Sequence, residues 1–371
     1  MPAILVTNPR LSDEVESATN YIPAKCNRDR VVLLDVFRVV AALAVVMYHY
    51  AFRGNAAGNL CDVSLPSLHG VVRYGYLGVE FFFVISGFVI AYTAFDRSIR
   101  KFAISRAIRL YPAFWICCSI TFVVTELLGG ERYNADILTY LVNLTLLAQF
   151  VGFNSIDGVY WSLYVEIQFY CFVGICIWLR QIDRLEYLAY LWLVLSGLLI
   201  VFPSFTISQM VLAQYAPLFV GGILFFLCYR DGPSITRISG IVLSMLAANY
   251  YAIQKAAVLS DRYGETLNPL IVVGLVTTIY CAFVPVVFRW VSRIPLFWTT
   301  LGTATYPLYL LHQNVGYMLM NSMFPELGNA LSLAITTVLV LLVSLVLAVY
   351  LEPVLRHRLR DIVATKPRPA K

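Results

Sequence analysis

The sequence predicts an all-α, polytopic membrane protein of about ten transmembrane helices with both termini cytoplasmic. Three observations carry that expectation. Sixty per cent of the 371 residues are hydrophobic and only 13% are charged, which is far too apolar for a soluble domain of ordinary composition. The charges cluster between apolar runs long enough to cross about 30 Å of hydrocarbon. When those runs are counted as spans, Lys and Arg concentrate in every second connection.

Ten runs qualify, at 31–53, 74–95, 110–129, 159–179, 187–203, 210–229, 235–254, 267–288, 297–320 and 328–351. The fifth is short, and the ninth contains Gly302 and Pro307. With a cytoplasmic N-terminus, 21 of the 27 Lys and Arg fall inside and five fall outside: Arg53, Arg73, Arg132, Lys255 and Arg262. One missing span would invert every later loop, so the bias argues for the span count as well as the orientation. The outer loop 130–158 holds an apolar stretch, 137–153. It is expected to be interfacial or re-entrant, since an eleventh span would break the charge pattern. Residues 1–30 read as a polar cytoplasmic segment without the apolar core of a signal peptide. Residues 31–355 are the membrane domain, and 356–371 form a basic tail expected to be disordered and to meet anionic lipid.

Composition also narrows the function. Most of the eight cysteines lie within apolar runs, where they act as small hydrophobes. Neither a disulfide nor a metal site is expected. Aromatic residues do not alternate with a basic patch, so nucleic acid is not an expected partner. Asn143, in Asn-Leu-Thr, matches a glycosylation pattern that matters only in a secretory lumen.

The first span, LDVFRVVAALAVVMYHY from Leu34 to Tyr50, carries Asp35, Arg38 and His49. Charge in hydrocarbon is costly, so such residues are functional candidates. Arg38 and His49 are eleven residues apart, about three turns plus 20°, which puts them on one face about 16 Å apart. Ala41, Ala42 and Val45 lie between them, and this face suits a slot for a long thin ligand. The plain alternative is that Asp35 and Arg38 snorkel at the boundary.

Further chemistry lies deeper in the chain. Glu80 and Glu166 are expected about two turns in from the outer side of the second and fourth spans. His312 is expected in the outer half of the ninth, and Arg106 and Arg109 at the cytoplasmic mouth of the third. An imidazole near carboxylates suits general-base catalysis, and clustered arginines suit a phosphorylated ligand. Each feature also has a structural alternative: ordinary positive-inside charge for the arginines, tight helix packing around Glu80, a hydrogen-bonded structural carboxylate at Glu166, and a satisfied core histidine at His312.

The motifs resemble the integral-membrane acyltransferase family 3. The matching pieces are the first-span segment, with Arg38 and His49 separated by ten residues; GYLGVEFFFVISGFVI; SRAIRLYPAFW; YWSLYVEIQFY; LGTATYPLYLLHQ; and Glu352-Pro353. They run in family order through nearly the whole chain. The resemblance implies acyl transfer from cytoplasmic acyl-CoA, commonly acetyl-CoA, with no permanently bound cofactor. The acceptor would be a hydroxyl of a carbohydrate, glycolipid or small molecule on the outer side of the cell membrane. It implies catalytic roles for His49, Glu80 and Glu166, and donor binding by Arg38, Arg106 and Arg109. One departure is that Ile167 and Gln168 stand where relatives carry a second acidic residue. Some relatives also have an extracytoplasmic hydrolase-like domain; without it, direct transfer is expected. The resulting mechanism has acyl-CoA threading up the Arg38–His49 face and His49 acting as base on the acceptor hydroxyl, with Glu80 or Glu166 orienting it. An acyl-histidine route stays open. A proton-coupled transporter or flippase would use the same intramembrane residues, but the paired broken spans common in such carriers are not evident.

Overall fold

A computed structural model describes residues 31–364, apart from positions 59, 96, 292 and 293. The chain divides into Met1–Val31 and Val32–Lys371, and the second unit holds everything below. The expected polar segment 1–30 and the tail end 365–371 lie outside the described residues.

Among those residues, eight helices are long and apolar enough to cross a membrane. The protein is an all-helical, multi-pass membrane protein. Its principal helices are α1 (Val32–Tyr48), α2 (Leu77–Ala94), α3 (Ile99–Leu128), α4 (Trp161–Trp178), α5 (Leu185–Val201), α6 (Ala216–Asp231), α7 (Ile235–Tyr263), α8 (Pro269–Cys281), α9 (Phe297–Leu311), α10 (Asn314–Val346) and α11 (Glu352–Ala364). Two expected spans, 210–229 and 297–320, centre on α6 and α9, which have only 16 and 15 residues. The apolar stretch 137–153 does not span: its helix is Ile137–Asn143, seven residues or about 10 Å. Residues 356–364 of the basic tail are helical within α11 rather than disordered.

Lipid and protein faces separate cleanly. Val123, Leu127, Trp178, Leu198 and Leu342 are exposed, as an apolar surface toward hydrocarbon requires. α2 is the most buried of the eight long apolar helices and packs against α1 and, most extensively, α6. Gly87 and Gly222 make the α2–α6 approach possible. A Cβ on Gly87 would collide with the Phe219 carbonyl, and one on Gly222 with that of Val84. Close backbone approach through small residues is a common membrane packing solution.

Two interruptions place chemistry. The chain after α1 winds into a π-helical turn, His49–Arg53, and a second such turn, Leu347–Leu351, leads into Glu352. π turns redirect side chains within a continuing helix and recur at functional sites. Ser98 and Ser234 cap α3 and α7 by accepting the amides of Lys101 and Arg237.

Candidate active site

Two cavities lie along α1. The Arg38 cavity is lined by Arg38, Ser86, Arg106, Arg109, Glu166 and Tyr170, among others. The His49 cavity is lined by His49, Arg53, Trp161, Lys255, Arg262 and Gln313, among others. The empty space in and at the mouth of each is about 840 and 820 Å³, and both are partly open to the outside. Val79 and Tyr309 line both, so the cavities adjoin across those two side chains. Tyr309 is fixed there by its hydroxyl, 2.7 Å from Ser162 Oγ.

His49 is buried, and its tautomer follows from its neighbours. His312 Nδ1 is 2.8 Å from the Tyr309 carbonyl. A carbonyl only accepts, so in the neutral ring the proton sits on Nδ1 and leaves Nε2 an acceptor. His49 Nδ1 faces that Nε2 at 3.2 Å and the Val45 carbonyl at 2.8 Å. Facing two acceptors, it carries its own proton. His49 Nε2 is therefore the bare nitrogen, with a lone pair for accepting a proton, in a ring that lines the cavity. Neither Glu80 nor Glu166 is among the hydrogen-bond partners of His49; a second histidine, a main-chain carbonyl and the Gln313 side chain hold it.

Glu80 instead pairs with Lys255, whose Nζ is 2.7 Å from Oε1. The other oxygen, Oε2, is buried without a hydrogen-bond partner. Lys255 belongs to α7, not to the outer loop where hydropathy places it. α7 continues to Tyr263, nine residues past the expected end of the span, and brings Lys255 and Arg262 to the cavity. That extension has a sequence signal: Lys255, Leu259 and Arg262 recur at i, i+4 and i+7 and all line the cavity. Arg53, expected at the outer end of the first span, continues that helix through the π turn.

Glu166 lies in the other cavity, among the arginines. It accepts hydrogen bonds from Ser86 Oγ at 3.2 Å and from the Tyr170 hydroxyl. These two hydroxyls serve it where Ile167 and Gln168 cannot. Arg38 donates to Asp35 Oδ1 at 2.7 Å, and Asp35 is wholly buried. Snorkelling is thus not what Asp35 does. A Cβ on Gly302 would run into the Asp35 side chain, so glycine is what lets α9 seat against this pair. α3 begins at Ile99, eleven residues before the expected span, so Arg106 and Arg109 lie about two to three turns into a continuous helix. Arg109 approaches Glu352 Oε1 at 3.4 Å, and Glu352 also pairs with Arg356. Arg106 packs over the Tyr170 ring and has no carboxylate partner among the described residues; its Nε is buried without an acceptor.

The loop before α4 ties the site together. Asp157, which sequence reasoning did not single out, is buried and accepts the amides of Val159 and Asn314, both at 3.0 Å. It thereby pins the first residue of α10 next to His312 and Gln313. Asn143 is also structural. Its side chain is 1% exposed, donates to the Thr139 and Asn154 carbonyls, and accepts the Ile156 amide. Such a buried, fully used amide is no glycan acceptor. Among the described residues no three His, Cys, Asp or Glu side chains converge as a metal site would need.

The acyltransferase 3 family, described as an acyltransferase domain, matches residues 31–350. A relative named acyltransferase MdmB, from Streptomyces mycarofaciens, is 28% identical over 68% of this chain and 67% of its own length. An O-acetyl transferase of Shigella phage Sf6 is 27% identical over 38% of this chain and 45% of its own. Nodulation protein 10 of Rhizobium leguminosarum bv. viciae is 27% identical over 37% and 41%. The matches therefore span about two thirds of the first relative and less than half of the other two. No solved structure matches. With the family matched over most of its length, the chain belongs to the acyltransferase 3 family of multi-pass membrane enzymes.

Proposed function

We propose that the protein is a cell-membrane O-acyltransferase that moves an acyl group, most simply acetyl, from cytoplasmic acyl-CoA to a hydroxyl of a carbohydrate-type acceptor on the outer side. The observation that carries this reading is the pair of adjoining cavities, one rich in arginine and the other lined by His49. The charge bias of the loops supports orienting the Arg38 cavity toward the cytoplasm, with both termini there.

On this reading the phosphates of acyl-CoA meet Arg106, Arg109 and Arg38, where guanidinium forks suit phosphate oxygens. The pantetheine arm follows the α1 face past Val79 and Tyr309 and brings the thioester to the His49 cavity. His49 Nε2 accepts the proton of the acceptor hydroxyl, and the oxygen attacks the thioester carbon. The tetrahedral intermediate collapses with cleavage of the C–S bond, and the departing thiolate takes the proton back from the imidazolium. His312 keeps the His49 lone pair aimed at the acceptor. Glu80 and Lys255 form a charged wall beside it, and Glu166 acts from the donor cavity.

The test is release of free CoA from acetyl-CoA by purified protein in detergent supplied with a sugar as hydroxyl acceptor, where no gradient exists. An enzyme releases CoA there, whereas a carrier does not. His49→Ala should lower turnover about 10²–10⁴-fold, as loss of a general base does. Near wild-type turnover in that variant would sink the role.

A further inference from the structure

Three cationic side chains, Arg53, Lys255 and Arg262, line the His49 cavity, and no Asp or Glu lines it. Lys255 is neutralised from behind by Glu80. Among the described residues, neither Arg53 nor Arg262 has a carboxylate within ion-pair distance. The Arg53 guanidinium meets the hydroxyl of Tyr317, a neutral partner, and a part-buried cation without a counter-charge is costly unless an anionic ligand supplies one. Arg53 follows His49 by one π-helical turn, which puts this cation beside the imidazole. The remaining wall is aromatic, including Tyr76, Trp161, Tyr215 and Tyr263. Such rings offer flat faces to the apolar side of a sugar.

We infer that the acceptor in this cavity is an anionic sugar, with a carboxylate or phosphate held by Arg53 and Arg262 while a neighbouring hydroxyl faces His49. This rests on the acyl-transfer reading and adds the chemical class of the acceptor. Arg262 is exposed and lines the cavity, whereas Arg53 is only partly exposed. Arg262 first meets the anion from solution, and Arg53 completes the contact at depth. A neutral sugar would leave Arg53 without a counter-charge and lose the charge-assisted bonds, which are roughly twice as strong as neutral ones.

The test uses the full chain in nanodiscs of zwitterionic lipid, so that no lipid headgroup competes as an anion. Tryptophan fluorescence is titrated with glucuronate, glucose 1-phosphate and methyl glucoside, with Trp161→Phe assigning the signal to the cavity. At least one anionic sugar should bind about tenfold more tightly than methyl glucoside, the equivalent of one good charge-assisted hydrogen bond. Whichever anion binds distinguishes a carboxylate from a phosphate acceptor. Arg262→Gln, a substitution of an exposed residue, should remove part of that preference, and Arg53→Gln should remove most of it. Equal binding of neutral and anionic sugars by the wild-type protein overturns the inference, as does a preference that survives Arg262→Gln and Arg53→Gln intact. CoA release by the wild-type protein is measured in parallel. Its absence counts against acyl transfer and is read separately from the binding preference.

Discussion

His312 Nε2 lies 3.2 Å from His49 Nδ1, with the two ring planes at 80°. The proton on His49 Nδ1 is thereby shared between a ring nitrogen and the Val45 carbonyl. This is how a membrane interior fixes a tautomer without burying a second charge beside the base. A carboxylate would do the same job, but it would add the desolvation cost of an anion.

The first prediction follows from that contact. His312→Ala removes an acceptor and lets the His49 ring rotate, and kcat should fall about tenfold to a hundredfold, less than for His49→Ala. His312→Gln places an amide oxygen at the same reach along the side chain, so it should recover much of the loss. Steady-state CoA release of the three variants checks this. A role limited to filling space would show no preference for Gln over Ala.

The second concerns Glu80 and Lys255, 2.7 Å apart with side chains 6% and 26% exposed. Removing either partner strands the other in a poorly hydrated place, whereas removing both does not. Glu80→Gln and Lys255→Met should each lower the thermal midpoint in detergent. The double variant should lose less than the sum, with a coupling of about 1–3 kcal/mol. Additive losses would mean that the pair contributes little.

Particular residues show how far the sequence could be read. Asp35, Arg38 and His49 were legible because charges in an apolar run stand out and helical spacing fixes their face. The α6 and α9 runs were legible as apolar segments, but their helices fall short of the lengths hydropathy suggests. Lys255 and Arg262 were hidden because α7 runs on after its apolar stretch ends, and hydropathy reports lipid contact rather than helix length. Glu166 was expected in the outer half beside His49 but shares a cavity with the arginines. α3 starts eleven residues before the expected span, so Arg106 and Arg109 sit further along their helix than hydropathy suggests. Asp157 acts through long-range packing, for which local spacing carries no signal.

Asp157 makes a pH prediction. It lies in the loop before α4, and burial pushes its carboxyl up to about 6 even though the Val159 and Asn314 amides pull the other way. An unfolded aspartate titrates near 3.9. The folded state therefore binds this proton more tightly, and the associated stability is full below about pH 4. It is lost as pH rises through about 6. Asp157→Asn cannot titrate, and it offers one acceptor where two amides need satisfying, at a cost of about 1–3 kcal/mol. The wild-type advantage in thermal midpoint should thus narrow between pH 4 and pH 7. An advantage that widens with pH would contradict the assignment.

The last prediction separates the arginines of the donor cavity. Arg109 is already engaged, 3.4 Å from the buried Glu352, which also holds Arg356. Arg106 has no such partner among the described residues, so a phosphate there displaces no protein carboxylate. Arg106→Gln should raise the KM for acetyl-CoA about tenfold with kcat little changed, as loss of uniform binding does. Added salt should weaken acetyl-CoA binding in the wild-type protein, and less so in that variant. Glu352→Gln should act with opposite signs on two readouts. It removes the anion that competes with phosphate for Arg109, so the KM should fall. It also leaves two guanidinium groups without their buried counter-charge, so the thermal midpoint should drop. A variant in which KM and stability both worsen would show that Glu352 positions Arg109 for the donor rather than competing with it.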